Sequence, residues 1–306
     1  MIHLAIAFDK NYLTPFYALA SSIFCNNPNE AFTLHCITKD VKEAEKTEIS
    51  DYLQENGSIA YFYTVDDTLI QNFVVRSHWN TSVYFKIFFP LLVDNSIKRL
   101  LYLDTDMLVL GKLRELYEID LKNYPLAVVA DPHVRNEAYW ELHKKENYFN
   151  SGMMLIDLPK WNSLEISQKT LKILNENPEK IIYVDQDALN IALEDNFLLV
   201  SEKYNYTYTH IPKELSIKEL KKQLSDITIL HFTLSRPWHF LCRNPYRYLY
   251  RFYLKKTPKR NEKVITDFSY SKIFAYFRIR LIEFYLNTPF INKIWRFIKK
   301  RFIKNI

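Results

Sequence analysis

The chemistry of this sequence centres on two aspartates, Asp104 and Asp106, which follow the apolar run Arg99–Leu103. Two carboxylates two residues apart at the end of a buried strand can share one hard divalent cation and leave coordination positions for a diphosphate. Mg²⁺ or Mn²⁺ suits oxygen ligands of this kind. A bare Asp-x-Asp pair is a weak signal, however, and a solvated turn after a strand is the alternative.

Other segments place polar side chains next to predicted strands and helices. In chain order they hold Asp9 and Asn11, then Asn150, then Asp185, Gln186 and Asp187, and finally His231 and Arg236. Each segment has a simpler explanation when it is taken alone. Asp9 can cap a helix, Asp185 and Asp187 can be acids of a first helical turn, and His231 can be a core histidine.

Taken together and in this order, the segments resemble glycosyltransferase family 8, especially its bacterial lipopolysaccharide and lipooligosaccharide galactosyl- and glucosyltransferases. The resemblance runs from Ile2 to His239. It implies a GT-A fold and a metal-dependent transfer of a hexose, galactose or glucose, from a UDP-sugar with retention of the anomeric configuration. The acceptor that it implies is a glycan or glycolipid such as the lipopolysaccharide core.

The resemblance also assigns roles to individual residues. Asp104 and Asp106, with Thr105 between them, would hold Mn²⁺ or Mg²⁺ together with His231. Ala7, Asp9 and Asn11 would contact the nucleoside. Asn150, Asp185 and Asp131 would hold hydroxyls of the donor sugar, Gln186 would lie beneath the anomeric carbon, and His78 would line the acceptor side. Asp131 precedes Pro132, so a turn residue is the alternative for it.

The sequence departs from the family pattern at two places. Lys86 stands where the family usually has Arg, and it keeps the charge but loses the planar guanidinium fork. Leu234 replaces a glycine that would let the backbone approach the diphosphate closely. Arg236, which replaces Lys, can still serve the phosphates. These departures keep open the alternative of a nucleotide-sugar-binding protein of the same fold without transfer activity.

The candidate residues favour same-face attack over double displacement. A double displacement needs a carboxylate nucleophile close behind the anomeric carbon. The motif presents Gln186 there, with Asp185 and Asp187 beside it. We therefore expect the acceptor to attack from the face that UDP leaves, with the departing phosphate accepting its proton. A metal phosphohydrolase is a poorer interpretation, because the sequence shows no His/Asp cluster sufficient for two metals.

The elements that must position these residues alternate between strand and helix. Apolar runs at Ile2–Phe8, Phe32–Ile37, Ile59–Thr64, Arg99–Leu103, Leu126–Ala130 and Gly152–Ile156 predict strands. Helical spacing predicts helices at Leu13–Phe24, Val41–Gln54 and Ser82–Leu92. This order predicts an α/β fold, a Rossmann-like and mainly parallel sheet with helices on both faces, whose ligands bind at the carboxyl ends of the strands.

Composition narrows the nucleotide chemistry. The chain has 306 residues, 16% of them aromatic, and only three glycines: Gly57, Gly111 and Gly152. A Gly-rich dinucleotide or Walker loop is therefore excluded, and a bound nucleotide must be held by a metal ion and side chains. The three cysteines have no metal-ligand spacing and are expected to be small buried hydrophobes of a cytoplasmic protein. The start of the sequence lacks the features of a signal peptide.

The positive charge of the chain is concentrated at its C-terminal end. Residues 270–306 hold nine Lys or Arg and one acid, whereas the rest holds 32 basic and 34 acidic residues. From Phe290 onward, apolar residues recur every three or four positions, which predicts a basic amphipathic helix at an anionic membrane. We therefore expect a catalytic domain at 1–260 and a membrane-associating tail at 261–306, without nucleic-acid binding, at the inner face of the membrane. A helix docked on the body of the protein and a nucleic-acid patch are the alternatives for the tail.

Overall fold

The computed structural model describes residues 1–71, 73, 81–132, 134, 147–176, 178, 181–212, 215–288, 290–291, 293–294 and 297. Its described strands form two sheets. Seven of them form the larger sheet, in the order β3-β2-β1-β4-β7-β6-β8, and three form the smaller one, in the order β5-β10-β9. The strands are β1 (Ile2–Asp9), β2 (Phe32–Lys39), β3 (Ile59–Tyr63), β4 (Arg99–Leu103), β5 (Met107–Val109), β6 (Leu126–Ala130), β7 (Phe149–Asp157), β8 (Leu198–Leu199), β9 (Tyr206–Thr207) and β10 (Ile229–His231).

Helices connect the strands of the large sheet, and two further described α-helices follow the last strand. The described α-helices are α1 (Leu13–Asn26), α2 (Glu43–Glu55), α3 (Phe89–Leu92), α4 (Arg114–Tyr117), α5 (Leu158–Ser163), α6 (Ile166–Glu176), α7 (Val184–Leu193), α8 (Ile217–Gln223), α9 (Arg247–Leu254) and α10 (Ile273–Asn287). The predicted helices at Leu13–Phe24 and Val41–Gln54 correspond to α1 and α2. The helix-like run that begins at Val184 is α7.

The large sheet has a hydrophobic core on each face. Along β1, Leu4 and Ile6 belong to one core, which includes α1 and α2. Ala5 and Ala7 belong to the other core, which includes α6 and α7. Successive side chains of a strand point to opposite faces, so this alternation follows directly from the strand geometry. The predicted α/β architecture with helices on both faces is confirmed.

One strand of the large sheet runs against the others. β7 pairs antiparallel with both β4 and β6, while the other described pairings of this sheet are parallel. The sheet is therefore mostly parallel, as predicted. Because β7 is reversed, its first residues lie beside the carboxyl end of β4, and the backbone N–H of Asp104 donates to the carbonyl of Gly152 at 2.8 Å. Two polar segments of the sequence meet at this edge.

The predicted helix at Ser82–Leu92 is α-helical only in its last turn. Residues Thr81–Phe88 form a 3₁₀ helix, and α3 follows with Pro90 in its first turn. Proline lacks an N–H group and its ring clashes with the carbonyl four residues earlier, here that of Lys86. A continuous α-helix through this segment is thereby prevented, and Lys86 lies on the 3₁₀ part.

The cysteine prediction holds for two of the three residues. Cys36 and Cys242 are buried, but Cys25 is exposed near the end of α1. Burial raises the pKa of both buried thiols. The expectation that all three are buried hydrophobes was therefore wrong for Cys25, because it occupies the outward face of the last turn of an otherwise buried helix.

The chain after residue 260 packs on the rest of the molecule through both polar and apolar contacts, and the Tyr276 ring stacks on Phe240 with 4.5 Å between the ring centroids. The backbone N–H of Thr266 donates to the carbonyl of Trp238 at 3.0 Å. On α10, Glu283 receives a hydrogen bond of 2.6 Å from Arg247, and Asn287 accepts one of 3.0 Å from the N–H of Ile217. Within the described residues, no helix is long and apolar enough to cross a membrane. Most of the amphipathic segment predicted from Phe290 lies outside the described residues.

Candidate active site at the carboxyl edge of the sheet

Three side chains converge where β4 and β10 end. Asp104 and Asp106 follow β4, and His231 is the last residue of β10. We call these three residues the cation cluster. One ligand atom from each of these residues lies within 4.8 Å of the others. Antiparallel pairing of β10 with β5 sets His231 opposite Met107, and the N–H of Phe232 donates to the carbonyl of Asp106 at 2.9 Å. Backbone hydrogen bonds therefore hold the histidine beside the Asp-x-Asp pair.

The orientation of the two carboxylates is fixed by neighbours. Oδ1 of Asp104 accepts a hydrogen bond of 2.6 Å from the Tyr102 hydroxyl, while its Oδ2 lies 3.9 Å from Nε2 of His231. Oδ1 of Asp106 lies 3.1 Å from the same nitrogen, and its Oδ2 lies 3.3 Å from Nε of Arg236. Both aspartates thus direct one oxygen towards His231.

The electrostatics of this cluster keep Asp106 ionised. Burial alone would raise the pKa of Asp106, but His231 and Arg236 outweigh it and hold the pKa well below its usual range. Two carboxylate oxygens and an imidazole nitrogen are ligand types that Mn²⁺ and Mg²⁺ accept. The three side chains that the sequence and the family resemblance assigned to a divalent cation therefore lie close enough together to share one.

Gly152 permits this convergence. A Cβ atom at this position would lie 2.4 Å from Cε1 of His231 and 2.9 Å from Oδ2 of Asp104. Real Cβ atoms do not approach other atoms so closely, so a side chain here would displace both groups. The start of β7 can lie against the cluster only because this residue is glycine.

Lys86 lies next to the cation cluster and is 4% exposed. Its Nζ is 2.9 Å from Oδ2 of Asp185 and 3.2 Å from Oδ1 of Asp104. Burial opposes the charge of Lys86, but the two carboxylates outweigh it and raise its pKa to about 12. Burial raises the pKa of Asp185, and Lys86 counteracts this effect. Lys86 is thus a buried cation that bridges the cation cluster and α7.

The side chains assigned to the donor sugar lie together beside the cation cluster. Nδ2 of Asn150 donates to Oε1 of Gln186 at 3.0 Å and to Oδ2 of Asp131 at 3.3 Å. The hydroxyl of Ser151 donates to Asp185 at 2.7 Å. Asn150, Asp131, Asp185 and Gln186 therefore form one continuous polar group, although they come from three separate parts of the chain.

Asp187 is fully buried, whereas Asp185 and Gln186, which precede it on α7, are 4% and 8% exposed. Its carboxylate accepts hydrogen bonds from the Tyr148 hydroxyl and from the N–H groups of Ile182 and Tyr183. Such contacts secure the start of a helix, where backbone N–H groups lack partners. Asp187 therefore stabilises the first turn of α7, and its assignment to the catalytic group stays a prediction.

The residues assigned to the nucleoside follow β1. Asp9 is buried and caps the 3₁₀ helix Lys10–Tyr12, where its Oδ1 accepts from the N–H of Asn11 at 2.7 Å. Ala7 is buried near the end of β1, whereas Asn11 is exposed. Arg236 packs over the Tyr12 ring at 5.7 Å from its centroid. This interaction connects the segment after β1 with the cation cluster.

The loop that follows His231 carries the departure noted in the sequence. Leu234 is 80% exposed, and Thr233 has a φ of 22°.

Thr105, between the two aspartates, is buried. His78, the predicted acceptor-side residue, lies outside the described residues.

Sequence reasoning missed three side chains of this site. They are Tyr102, Ser151 and Asn205. Asn205 is fully buried and contacts both His231 and Asn150, at 2.8 Å in each case. Tyr102 is an inward residue of an apolar strand and Asn205 stands between two tyrosines, so neither type nor spacing distinguishes them. Ser151 lies in the Asn150–Gly152 segment, where only its polarity was a signal.

Known proteins match this chain over most of its length. General stress protein A of Bacillus subtilis is 29% identical over 270 residues, which are 84% of this chain and 94% of that protein. Lipopolysaccharide 1,2-glucosyltransferase of Escherichia coli K12 is 28% identical over 85% of this chain and 80% of its own length. The crystal structure of galactosyltransferase LgtC with donor and acceptor sugar analogues superposes with a TM-score of 0.72 at 21% identity, covering 89% of this chain and 99% of that one.

The similarity to LgtC establishes the fold as GT-A, as the sequence resemblance implied. The family model for glycosyl transferase family 8 matches residues 3–242, which include the cation cluster, the polar group around Asn150 and Arg236. This chain therefore belongs to glycosyltransferase family 8.

Proposed function

We propose that this protein transfers a hexose from a UDP-sugar to a bacterial surface glycan, with retention of configuration and with one divalent cation. The observation that carries the proposal is the convergence of Asp104, Asp106 and His231 within 4.8 Å, beside the amide and carboxylate groups of Asn150 and Asp185. The Escherichia coli relative is a lipopolysaccharide 1,2-glucosyltransferase. Its name supports a lipopolysaccharide-type acceptor for this chain.

In the proposed reaction, Asp104, Asp106 and His231 hold Mn²⁺ or Mg²⁺, which supplies Lewis-acid stabilisation of the leaving diphosphate. Arg236 adds a fixed positive charge beside these residues, and its guanidinium contacts Asp106. Burial lowers the pKa of Arg236, but the nearby carboxylates outweigh burial and raise it. Preorganised charges of this kind stabilise the developing charge without reorganising during the reaction.

The contacts of α7 favour same-face attack. A double displacement needs an accessible carboxylate nucleophile. Asp187 is fully buried and engaged by three donors, and Asp185 is 4% exposed and paired with Lys86. Gln186 accepts hydrogen bonds from Asn150 and from the N–H of Ser151. A glycosyl adduct on Asp185 or Asp187, detected by mass spectrometry, would refute same-face attack.

The first test is the melting temperature of the protein with Mn²⁺ and UDP, UDP-galactose, UDP-glucose or UDP-N-acetylglucosamine. Ligands that bind the native state raise the melting temperature by mass action. We expect a Mn²⁺-dependent rise that an Asp104→Asn, Asp106→Asn variant loses, and Mn²⁺-dependent hydrolysis of the preferred donor. Binding without any turnover would support the alternative, a nucleotide-sugar-binding protein. No rise with any uridine nucleotide would contradict both.

We also propose that the C-terminal part docks on an anionic membrane at its inner face. On α10, Phe274, Phe277, Leu281 and Phe284 are all more than 60% exposed and recur at spacings of three and four residues. They therefore form an apolar stripe, which we call the α10 stripe. It faces away from the polar contacts that hold α10 to the body, in the segment with nine Lys or Arg and one acid. Apolar contacts with nearby basic residues suit an anionic lipid interface.

Substitution tests this docking better than deletion, because α10 also packs on the body through Glu283. We expect a variant with Phe274→Ser, Phe277→Ser and Phe284→Ser to lose sedimentation with phosphatidylglycerol vesicles and to retain donor hydrolysis. The matched control replaces three exposed apolar residues elsewhere, Ile59→Ser, Leu69→Ser and Leu91→Ser. Unchanged sedimentation of the stripe variant, or equal loss in the control, would refute the docking surface.

A further inference from the structure

Asn205 connects the two halves of the candidate site. It is fully buried and lies between the 3₁₀ helix Glu202–Tyr204 and β9, the strand that pairs with β10. Its Oδ1 is 2.8 Å from Nδ1 of His231, and its Nδ2 donates to Oδ1 of Asn150 at 2.8 Å. One amide thus touches a candidate cation ligand and a candidate sugar-binding residue.

Backbone groups fix the orientation of this amide. The N–H of Gly152 can only donate, and it donates to Asn150 at 3.0 Å, so the Asn150 atom at this position is the carbonyl oxygen. The Asn205 atom that faces this oxygen must then be its NH₂ group. It follows that the carbonyl oxygen of Asn205 faces His231.

The orientation of Asn205 in turn determines the tautomer of His231. A carbonyl oxygen only accepts hydrogen bonds, so Nδ1 of His231 carries a proton. Nε2 is then the nitrogen directed at Asp104 and at Asp106, whose Oδ1 lies 3.1 Å away. Because a carboxylate oxygen only accepts hydrogen bonds, Nε2 donates to Asp106 when no cation is bound, and a cation would take the place of that proton. A proton held on Nδ1 thus reserves Nε2 for the cation, and partners on the far nitrogen of a ligating histidine act in this way.

The same hydrogen-bond network continues to α7. The N–H of Ser151 donates to Oε1 of Gln186 at 3.2 Å, and Nδ2 of Asn150 donates to the same oxygen at 3.0 Å. With its carbonyl oxygen held by Asn205 and Gly152, Asn150 can direct its NH₂ group only towards Gln186 and Asp131. The orientation of Asn150 therefore rests on two donors to its carbonyl oxygen, the N–H of Gly152 and the NH₂ group of Asn205.

We propose that Asn205 is a positioning residue that simultaneously sets the cation-binding tautomer of His231 and the sugar-facing orientation of Asn150. This role rests on the proposed function, because it presupposes a cation at His231 and a donor sugar at Asn150. Asn205 uses its acceptor for one task and its donor for the other. The two tasks can therefore be separated by substitution.

Asn205→Asp keeps the shape and the acceptor but removes the donor. A carboxylate still accepts from Nδ1 of His231, whereas its second oxygen faces the carbonyl oxygen of Asn150, which no longer receives a proton from this side. We expect the Mn²⁺ dissociation constant to stay within about threefold of wild type, because a carboxylate on the far nitrogen also supports a ligating histidine. We expect kcat for donor hydrolysis to fall about 100-fold, as misplacement of a sugar-binding group by an ångström does.

Asn205→Ala removes both functions. We expect its Mn²⁺ affinity to weaken by about 10- to 100-fold, the usual effect of losing such a partner, and kcat to fall as well. Asn244→Asp is the matched control. Asn244 is also fully buried, but its side chain accepts from the N–H of Tyr246 instead of contacting the site. This control should leave both quantities unchanged.

The experiment measures the Mn²⁺ dissociation constant by electron paramagnetic resonance in the presence of UDP, and kcat and KM for donor hydrolysis separately. Asn205→Asp with wild-type Mn²⁺ affinity and a low kcat supports the proposal. Equal loss of Mn²⁺ affinity in the Asp and Ala variants, or wild-type behaviour of Asn205→Ala, would overturn it. If the wild-type protein itself fails to bind Mn²⁺ with UDP, the proposed function falls and this role falls with it.

Discussion

The substitution Gly152→Ala tests whether the close approach of β7 sets the geometry of the cation cluster. The added Cβ would lie 2.4 Å from Cε1 of His231, whereas carbon atoms in contact are about 3.5 Å apart. The imidazole and the strand must therefore separate by about 1 Å. The backbone of Gly152 is not left-handed, so alanine adds a steric clash without backbone strain.

A misplacement of about 1 Å in a catalytic group costs roughly 100-fold in rate, or about 2.7 kcal/mol of transition-state stabilisation. We therefore expect kcat/KM for Mn²⁺-dependent donor hydrolysis to fall about 100-fold in Gly152→Ala. Mn²⁺ affinity should fall as well, because Asp104 is displaced by the same atom. Overpacking should reduce the free energy of unfolding by about 1–3 kcal/mol.

Gly57→Ala is the matched control for this loss of stability. Gly57 has a φ of 69°, and an added Cβ would meet no atom within 4 Å, so alanine there costs about 1–2 kcal/mol through backbone strain alone. We expect this variant to lose stability and to keep its rate. Wild-type kinetics in Gly152→Ala, or an equal loss of rate in Gly57→Ala, would refute the reasoning.

Three further predictions concern buried ionisable groups. Lys86→Met leaves Asp185 buried without its cation, and we expect a loss of about 3–5 kcal/mol in the free energy of unfolding by urea; an unchanged midpoint would contradict the pairing. Asp187→Ala leaves the Tyr148 hydroxyl and two backbone N–H groups without their acceptor, so we expect the free energy of unfolding to fall by at least about 2 kcal/mol. A stable but inactive variant would indicate a catalytic role instead. Burial, together with His3, lowers the pKa of His35 to about 4. As pH falls, the histidine is therefore protonated in the unfolded chain before it is protonated in the folded protein, so the free energy of unfolding decreases from about pH 6.5 to about pH 4. His35→Phe should flatten this part of the plot of stability against pH, and a wild-type slope in the variant would disprove the assignment.

The sequence predicted much of the sheet because strand and helix patterns are local. The runs that became β1, β2, β4 and β6 were visible from apolar residues alone. The direction of β7 was not, because an apolar run contains no information on whether its neighbours are parallel. The 3₁₀ segment before Pro90 was also mistaken for an α-helix, since amphipathic spacing does not reveal a clash with the carbonyl four residues earlier.

For the site, the sequence was informative where residue type and position agreed. Asp104 and Asp106 stood out because two carboxylates followed a buried strand. His231 could be assigned only through family resemblance, because an apolar run that ends in histidine has no chemical signal of its own. Asn205 was missed altogether, since its role arises from the pairing of β9 with β10, which brings distant segments together.

The pairing of β5 with β10 has a consequence for the order of folding. It joins Asp106 to His231, which are 125 residues apart in the chain. Contacts between distant segments must overcome the entropy of closing a long loop, so we expect them to form later than contacts between neighbouring strands such as β1 and β2. A chain arrested with only its first strands assembled would have Asp104 and Asp106 without the histidine. Mn²⁺ would then stabilise only completed molecules, and its presence during refolding would select the native topology over compact intermediates.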